Sequence, residues 1–343
     1  MIWSLNISVA VFALCIGVIG FSGYRLTAVA DRLADITGLG EAIMGAVFIG
    51  IITSLSGSIL SLTAAWDGHG AFAVSNAAGG IGLQLTFLAF ADMTYSKANL
   101  EHAAASQVNL MQGVLLMILL ALPLLAVHSP AFSIGCAHPI TFASFIFYGC
   151  GLSIIARSRK TPMWKPLSTK ETVTDKPTRK RRSKKELTRL WLQLLTLAPI
   201  VGVSGWALGQ SGISIVRHSH LSTTLVGGLF TAGITSVPEL VIAIAAVKRN
   251  ALTLAVGNII GGNTFDTLII SGSDLAYRNG SIYNAIGDDQ IFLISLTLLL
   301  TGIWLMGLLK REKHGIANIG LESFLILLLY SAGFTALLLN PNS

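Results

Sequence analysis

The sequence predicts an all-α membrane protein of about ten transmembrane helices, arranged as a five-plus-five inverted repeat. Three observations predict it. Of 343 residues, 53% are hydrophobic and only 11% are charged, whereas a soluble domain carries about 25% charged residues. The apolar residues fall into ten runs, each near the ~20 residues a helix needs to cross a bilayer. The first half of the chain also matches the second at a fixed offset of 182 residues.

The predicted spans are 4–24, 39–65, 69–91, 107–127 and 137–156, then 189–210, 222–247, 253–275, 287–309 and 318–339. The first run has no Lys or Arg before it. A secretory signal starts with a positive segment, so this run reads as a retained first span. The chain divides into a first five-helix half over 1–156, a linker over 157–189 and a second half over 190–343. The linker holds thirteen Lys or Arg, three acids and three prolines (Pro162, Pro166 and Pro177). It has no apolar periodicity and reads as a flexible segment, above all over the run RKRRSKK. With five spans on each side of a cytoplasmic linker, both termini lie outside. The inner loops then hold 21 of the 23 basic residues, as the positive-inside rule requires.

The self-match runs without a gap from Gly45 to Tyr95. Gly45 pairs with Gly227, and Ile52-Thr53-Ser54 with Ile234-Thr235-Ser236. Asn76 pairs with Asn258, Gly79-Gly80 with Gly261-Gly262, and Asp92 with Asp274. The shared residues are mostly polar groups and glycines. Five spans separate equivalent positions, an odd number, so the two repeats (about 39–95 and 222–277) cross the membrane in opposite senses. Inverted repeats that meet at a midplane site are a transporter architecture.

The chemistry concentrates between Ile234 and Asp266. Each of two apolar runs carries an acid, Glu239 and Asp266, and an acid within a span marks an ion or proton pathway by default. Pro238 has no N–H, so Ile234 loses its helical partner. A freed carbonyl beside Thr235, Ser236 and a carboxylate is a set of oxygens suited to a hard cation. Thr235 and Glu239 share one helix face, as do Asn258, Gly262 and Asp266. Gly257, Gly261 and Gly262 let another helix approach closely.

The segments TSVPEL and GNIIGGNTFD resemble the second alpha-repeat of the sodium/calcium exchanger (cation/calcium antiporter) superfamily, whose pattern is roughly G-T-S-x-P-E followed by G-N-x-x-G-S-N. The resemblance implies an antiporter working by alternating access, with one glutamate from each repeat facing the other across a pseudo-twofold axis. This chain departs from that pattern. The first repeat reads ITSLSGS, so Ser56 stands for Pro238 and Gly57 for Glu239. Gln84 stands for Asp266 and Ile81 for Asn263. Gly262 and Ile234 replace a serine and a glycine of the pattern. The negative charge of the site then comes from Glu239 and Asp266. Thr53, Ser54, Asn76, Gln84, Thr235, Ser236 and Asn263 offer neutral oxygens, with water filling the space left by Gly57.

These residues define the expected function: a secondary-active cation antiporter exchanging calcium for sodium in a bacterial inner membrane. The lost first-repeat acid keeps two alternatives open, a proton-coupled or monovalent cation exchanger and a non-transporting sensor or scaffold of the same fold. No cofactor, enzyme activity or nucleic-acid partner is expected, because the chain has no P-loop, HExxH motif or cysteine cluster. Its partners are the bilayer and the transported cations; beyond these, the linker is read as a topology signal rather than a lipid-binding segment. Asp92, Asp274 and Glu322 read as solvated or interfacial helix ends. His69, His218 and His220 read as outer-loop residues, and Cys15, Cys136 and Cys150 as buried thiols.

Overall fold

A computed structural model describes residues 4–130, 133–159, 162–173, 184–218, 225–315 and 319–339, with the side chains of 216–218 and 225–229 left aside. The described chain is helical. The first half contains α1 (Leu5–Thr37), α2 (Glu41–Ile43), a π-helical turn (Met44–Ile49), α3 (Gly50–Trp66), α4 (Gly70–Met93), α5 (Leu100–Ala103), α6 (Gln107–His128) and α7 (Pro139–Ser158). The second half contains α8 (Lys184–His218), α9 (Leu225–Thr235), α10 (Val237–Lys248), α11 (Leu252–Ala276), α12 (Asp288–Lys310) and α13 (Leu321–Leu338).

Among the described residues, eight segments are long and apolar enough to cross a bilayer. The two remaining expected spans are filled by the broken pair α9–α10 and by α11. The pair is split into helices of 11 and 12 residues, each too short to cross alone, and α11 carries Asp266 and Asp274, which lower its apolar character.

Local chemistry sets the boundaries. Gly38 closes α1 at φ 70°, a conformation open to glycine without strain. Ser106 caps α6 by accepting the Asn109 N–H at 3.1 Å. His138 caps α7 just before Pro139, where the missing N–H of proline does no harm.

The layers follow burial. α4 and α11, partners under the repeat, lie in the centre and pack on each other. Of the most apolar stretch of α4, 83% is buried, against 22% for α1. α1 and α8 pair with each other and cover α3 and α10 from one side. α6, α7, α12 and α13 surround the rest.

The expected close approach of the α11 glycines is present, and its partner is the start of the first repeat. A Cβ on Gly45 would lie 2.7 Å from the Asn258 nitrogen, and one on Gly261 only 2.0 Å from the Ala46 Cβ. Contact at backbone distance locks the two repeats together.

Several expectations change. Part of the linker is docked rather than free. The Lys313–Glu171 ion pair is 2.6 Å long, and Val173 donates its N–H to the Ala103 carbonyl at 3.0 Å. Arg311 donates to the Leu167 carbonyl and the Thr172 hydroxyl at 2.5 and 2.9 Å. α8 also begins at Lys184, inside the expected linker. Most of the RKRRSKK run, like His220, lies outside the described residues. Asp92, Asp274 and Glu322 are buried, not solvated, because backbone N–H groups and tight turns enclose them. Cys15 is buried, whereas Cys136 and Cys150 are exposed. Cys136 stands in the α6–α7 connection and Cys150 on α7, a helix that buries little of its surface.

Candidate functional site

The site forms where the helices of the two repeats are interrupted or carry small residues. In the second repeat Ser236 alone separates α9 from α10, at φ −89° and ψ 3°. Pro238 follows at the first turn of α10 and cannot donate to Ile234. The break places Thr235, Ser236 and Glu239 side by side. The first repeat has no such break, because Ser56, in the place of Pro238, keeps its N–H. There α3 runs unbroken from Gly50 to Trp66, and the Ser56 hydroxyl donates to the Thr235 carbonyl at 3.3 Å.

Ser54, Asn76, Gln84, Thr235, Ser236, Glu239 and Asp266 line one small cavity together with Gly57, Ala77, Gly80 and Ile269. It leaves about 20 Å³ for a water-sized particle, room for about one. All seven polar residues are at least 95% buried. Thr53 stands beside Glu239, but its hydroxyl donates to the Ile49 and Gly50 carbonyls at 3.2 and 3.1 Å. Asn263 lies off the cavity and donates to the Ile81 carbonyl at 3.3 Å.

The hydrogen bonds repeat the inverted symmetry. Thr235 donates to Thr231 and Ala232 as Thr53 does to Ile49 and Gly50. The Asn258 amide donates to the Glu239 carbonyl at 3.3 Å, and that of Asn76 to the Gly57 carbonyl at 3.4 Å. Two contacts join a residue to its own counterpart: Gln84 Nε2 donates to Asp266 Oδ2 at 3.0 Å, and Asn263 bonds the backbone at Ile81.

The polar atoms left over have one character. Ser54 Oγ, Asn76 Oδ1, Gln84 Oε1, Glu239 Oε2 and Asp266 Oδ1 are buried without a hydrogen-bond partner. All five are oxygens around the same cavity, and among the described residues no Lys, Arg or His lines it. Buried polar atoms are normally satisfied, so five orphan oxygens, two of them from the carboxylates, are a donor set that could hold a cation. Among the described residues, no three His, Cys, Asp or Glu side chains form a metal-holding group. Two carboxylates with neutral oxygens suit a hard cation passing through.

Sequence reasoning missed two features. Ser56 is drawn into the site through the Thr235 carbonyl; its signal is its position opposite Pro238. Gln84 leaves its oxygen without a partner, and its nitrogen, for which the sequence gives no role, is bonded to Asp266 and to the Ser236 hydroxyl, the latter at 3.4 Å.

The family model described as "Sodium/calcium exchanger protein" matches residues 7–155 and 189–339. The chain is 33% identical over 124 residues to "Putative antiporter CaxA" of Alkalimonas amylolytica, over 36% of this chain and 38% of that protein. It is 32% identical over 93 residues to "Inner membrane protein YrbG" of Escherichia coli K12, over 27% of this chain and 28% of that protein. The aligned stretch thus spans less than two fifths of either relative. The fold is similar to that of the sodium-calcium exchanger NCX_Mj soaked with 10 mM Na+ and zero Ca2+. The TM-score is 0.71 at 15% identity, covering 97% of this chain and 99% of that one. For the same exchanger in 2.5 mM Na+ and 0.1 mM Ca2+ the TM-score is 0.68 at 16% identity, covering 96% and 98%. With matches that cover both halves and the fold in common, this multi-pass membrane protein belongs to the sodium/calcium exchanger protein family.

Proposed function

We propose that the chain is a secondary-active cation antiporter that exchanges calcium for sodium across a bacterial inner membrane. One observation carries the reading: five unpartnered oxygens, two of them from carboxylates, converge on a buried cavity that no basic residue lines among the described residues. Ionised, Glu239 and Asp266 balance one divalent cation. Ser54, Asn76, Gln84, Thr235 and Ser236 replace part of its water shell, and Thr53 and Asn263 brace the site from behind. Transport needs the seat to open to each side in turn, as the inverted halves permit. Peripheral helices move about the fixed core that the two repeats form; the five-helix halves lie at 1–156 and 190–343, and the linker at 157–189 lies in the cytoplasm with both termini outside.

A second reading has its own support. The Gln84 amide sits on Asp266 where an acid would add charge, and Gly57 supplies no side chain. With only two carboxylates, the exchange of one divalent cation against two protons, or the binding of a monovalent cation, needs no further charge.

The test is calcium uptake into proteoliposomes loaded with sodium, beside a set driven by a pH gradient alone. Sodium-dependent uptake supports sodium/calcium exchange, and uptake driven by pH alone supports the second reading. Absence of both from folded protein that binds no cation refutes both and leaves a sensor or scaffold. Glu239→Gln is expected to lower transport at least about tenfold, since it removes half the site's charge. Unchanged transport would remove Glu239 from the site.

A further inference from the structure

The connection that follows each repeat is tied down by an aspartate, and the two ties are built alike. Asp274, near the end of α11, accepts from the Ser281 hydroxyl and the Ile282 N–H at 2.8 and 2.7 Å. Its other oxygen accepts from the His138 N–H and the Thr141 hydroxyl at 2.8 and 2.5 Å. Asp92, its counterpart near the end of α4, accepts from the Leu100 N–H at 2.6 Å and the Gly320 N–H at 3.3 Å. Leu100 is the counterpart of Ile282, and Gly320 of His138. Each aspartate therefore joins its own repeat to the start of the last helix of the other half.

The surroundings of the two ties differ. Beside Asp274 the chain has Tyr283 and Ile140; the matching positions beside Asp92 are Glu101 and Glu322. Three carboxylates thus meet in one buried place, with Asp92 0%, Glu101 1% and Glu322 5% exposed. Ser323, counterpart of Thr141, donates to Glu101 Oε1 at 3.3 Å. Glu101 Oε2 and Glu322 Oε1 have no partner. Glu322 folds back so that Oε1 lies against Gly320, the residue whose N–H Asp92 holds.

Among the described residues, the nearby cations have partners of their own. Lys310 pairs with Glu312 at 3.3 Å and Lys313 with Glu171 at 2.6 Å. The Arg311 guanidinium bonds the His102 carbonyl and the linker. The His102 ring lies between the Arg311 carbonyl and the Thr169 hydroxyl, at 2.7 and 2.9 Å. Three like charges in a dry pocket cannot all ionise together at ordinary cost. Burial holds the Glu101 carboxyl well above the usual carboxylate range, and Asp92 and Glu322 push it the same way. Lys313 instead holds the exposed Glu171 down at about 2, so that ion pair does not titrate near neutrality.

We infer that Asp92, Glu101 and Glu322 form a proton-held latch on the linker face, shut while the three carboxylates share protons and loosened as they ionise together. What it fastens is visible in α5. Glu101 enters the cluster, while the adjacent His102 and Ala103 hold the docked linker. Loss of protons on this face therefore loosens α5, the linker and the start of α13 as one unit. The Asp274 tie, saturated by four donors, stays shut. The inference does not depend on which ion the central site carries.

Hydrogen exchange of the full-length purified protein tests it, with rates corrected for the intrinsic effect of pH. Between about pH 5 and about pH 9, the amides around 98–104 and 319–324 are expected to lose about tenfold more protection than those around 281–286 and 137–142. Glu101→Gln and, separately, Glu322→Gln should bring that difference below about twofold. Tyr283→Glu should bring the same pH response to the other tie. Equal pH responses at both ties of the wild type, or a difference that survives in both glutamine variants, would overturn the latch.

Discussion

At the residue scale, the two repeats spend the same positions differently. Asn76 and Asn258 make matching bonds, and so do Thr53 and Thr235. Gly57 and Glu239 share a position, but only the second carries charge. A Cβ on Gly57 would meet nothing closer than the Thr235 hydroxyl at 3.8 Å and the Asn76 amide at 3.9 Å. Gly57→Glu therefore has room to start a side chain toward the cavity. It is expected to tighten divalent-cation binding about tenfold or more while leaving the fold intact. Calcium titration of purified protein, with sodium as competitor, checks this, and unchanged affinity would mean that the added acid does not reach the seat. Glu239 and Asp266 were legible in the sequence because an acid stands out in an apolar run. The direction of the Gln84 amide was not, since amide and acid occupy one repeat position and only packing decides which atom faces Asp266.

At the element scale, the two repeats are held by helix backbones in near contact. The π-helical turn and α3 meet α11 through Gly45, Gly50, Gly257 and Gly261. Gly261→Val would drive a branched side chain into Ala46, so we expect a loss of about 1–3 kcal/mol or more, read as a lowered midpoint in thermal unfolding. An unchanged midpoint would mean that α11 can shift away from the first repeat. The glycines announced a close approach, but sequence could not say to what, because a small residue names no partner. α5 and the docked part of the linker were hidden for a related reason. Four residues carry no measurable periodicity, and a polar segment held by Arg311, Lys313 and backbone groups reads the same as a free one.

At the scale of the whole molecule, charge sets direction. The ends of α1, α4, α7, α10 and α12 gather on the linker side with most of the Lys and Arg, which the positive-inside rule assigns to the cytoplasm. Cys136, exposed in the α6–α7 connection on the other side, gives a direct check. An impermeant thiol reagent is expected to label it in cells whose outer membrane has been opened, while a cysteine placed at Lys170 stays unlabelled until lysis. The reverse pattern would invert the topology. The count of spans and the repeat offset were both legible, because they depend on long stretches of sequence rather than on single contacts. The contact of Gln84 with Asp266 carries a further consequence. It joins equivalent positions, so it lies on the pseudo-twofold axis itself. Two identical half-chains associating there as a dimer would have to set amide against amide or acid against acid. A single chain, with both halves written in one message, can set an acid on one side of its own axis and an amide on the other.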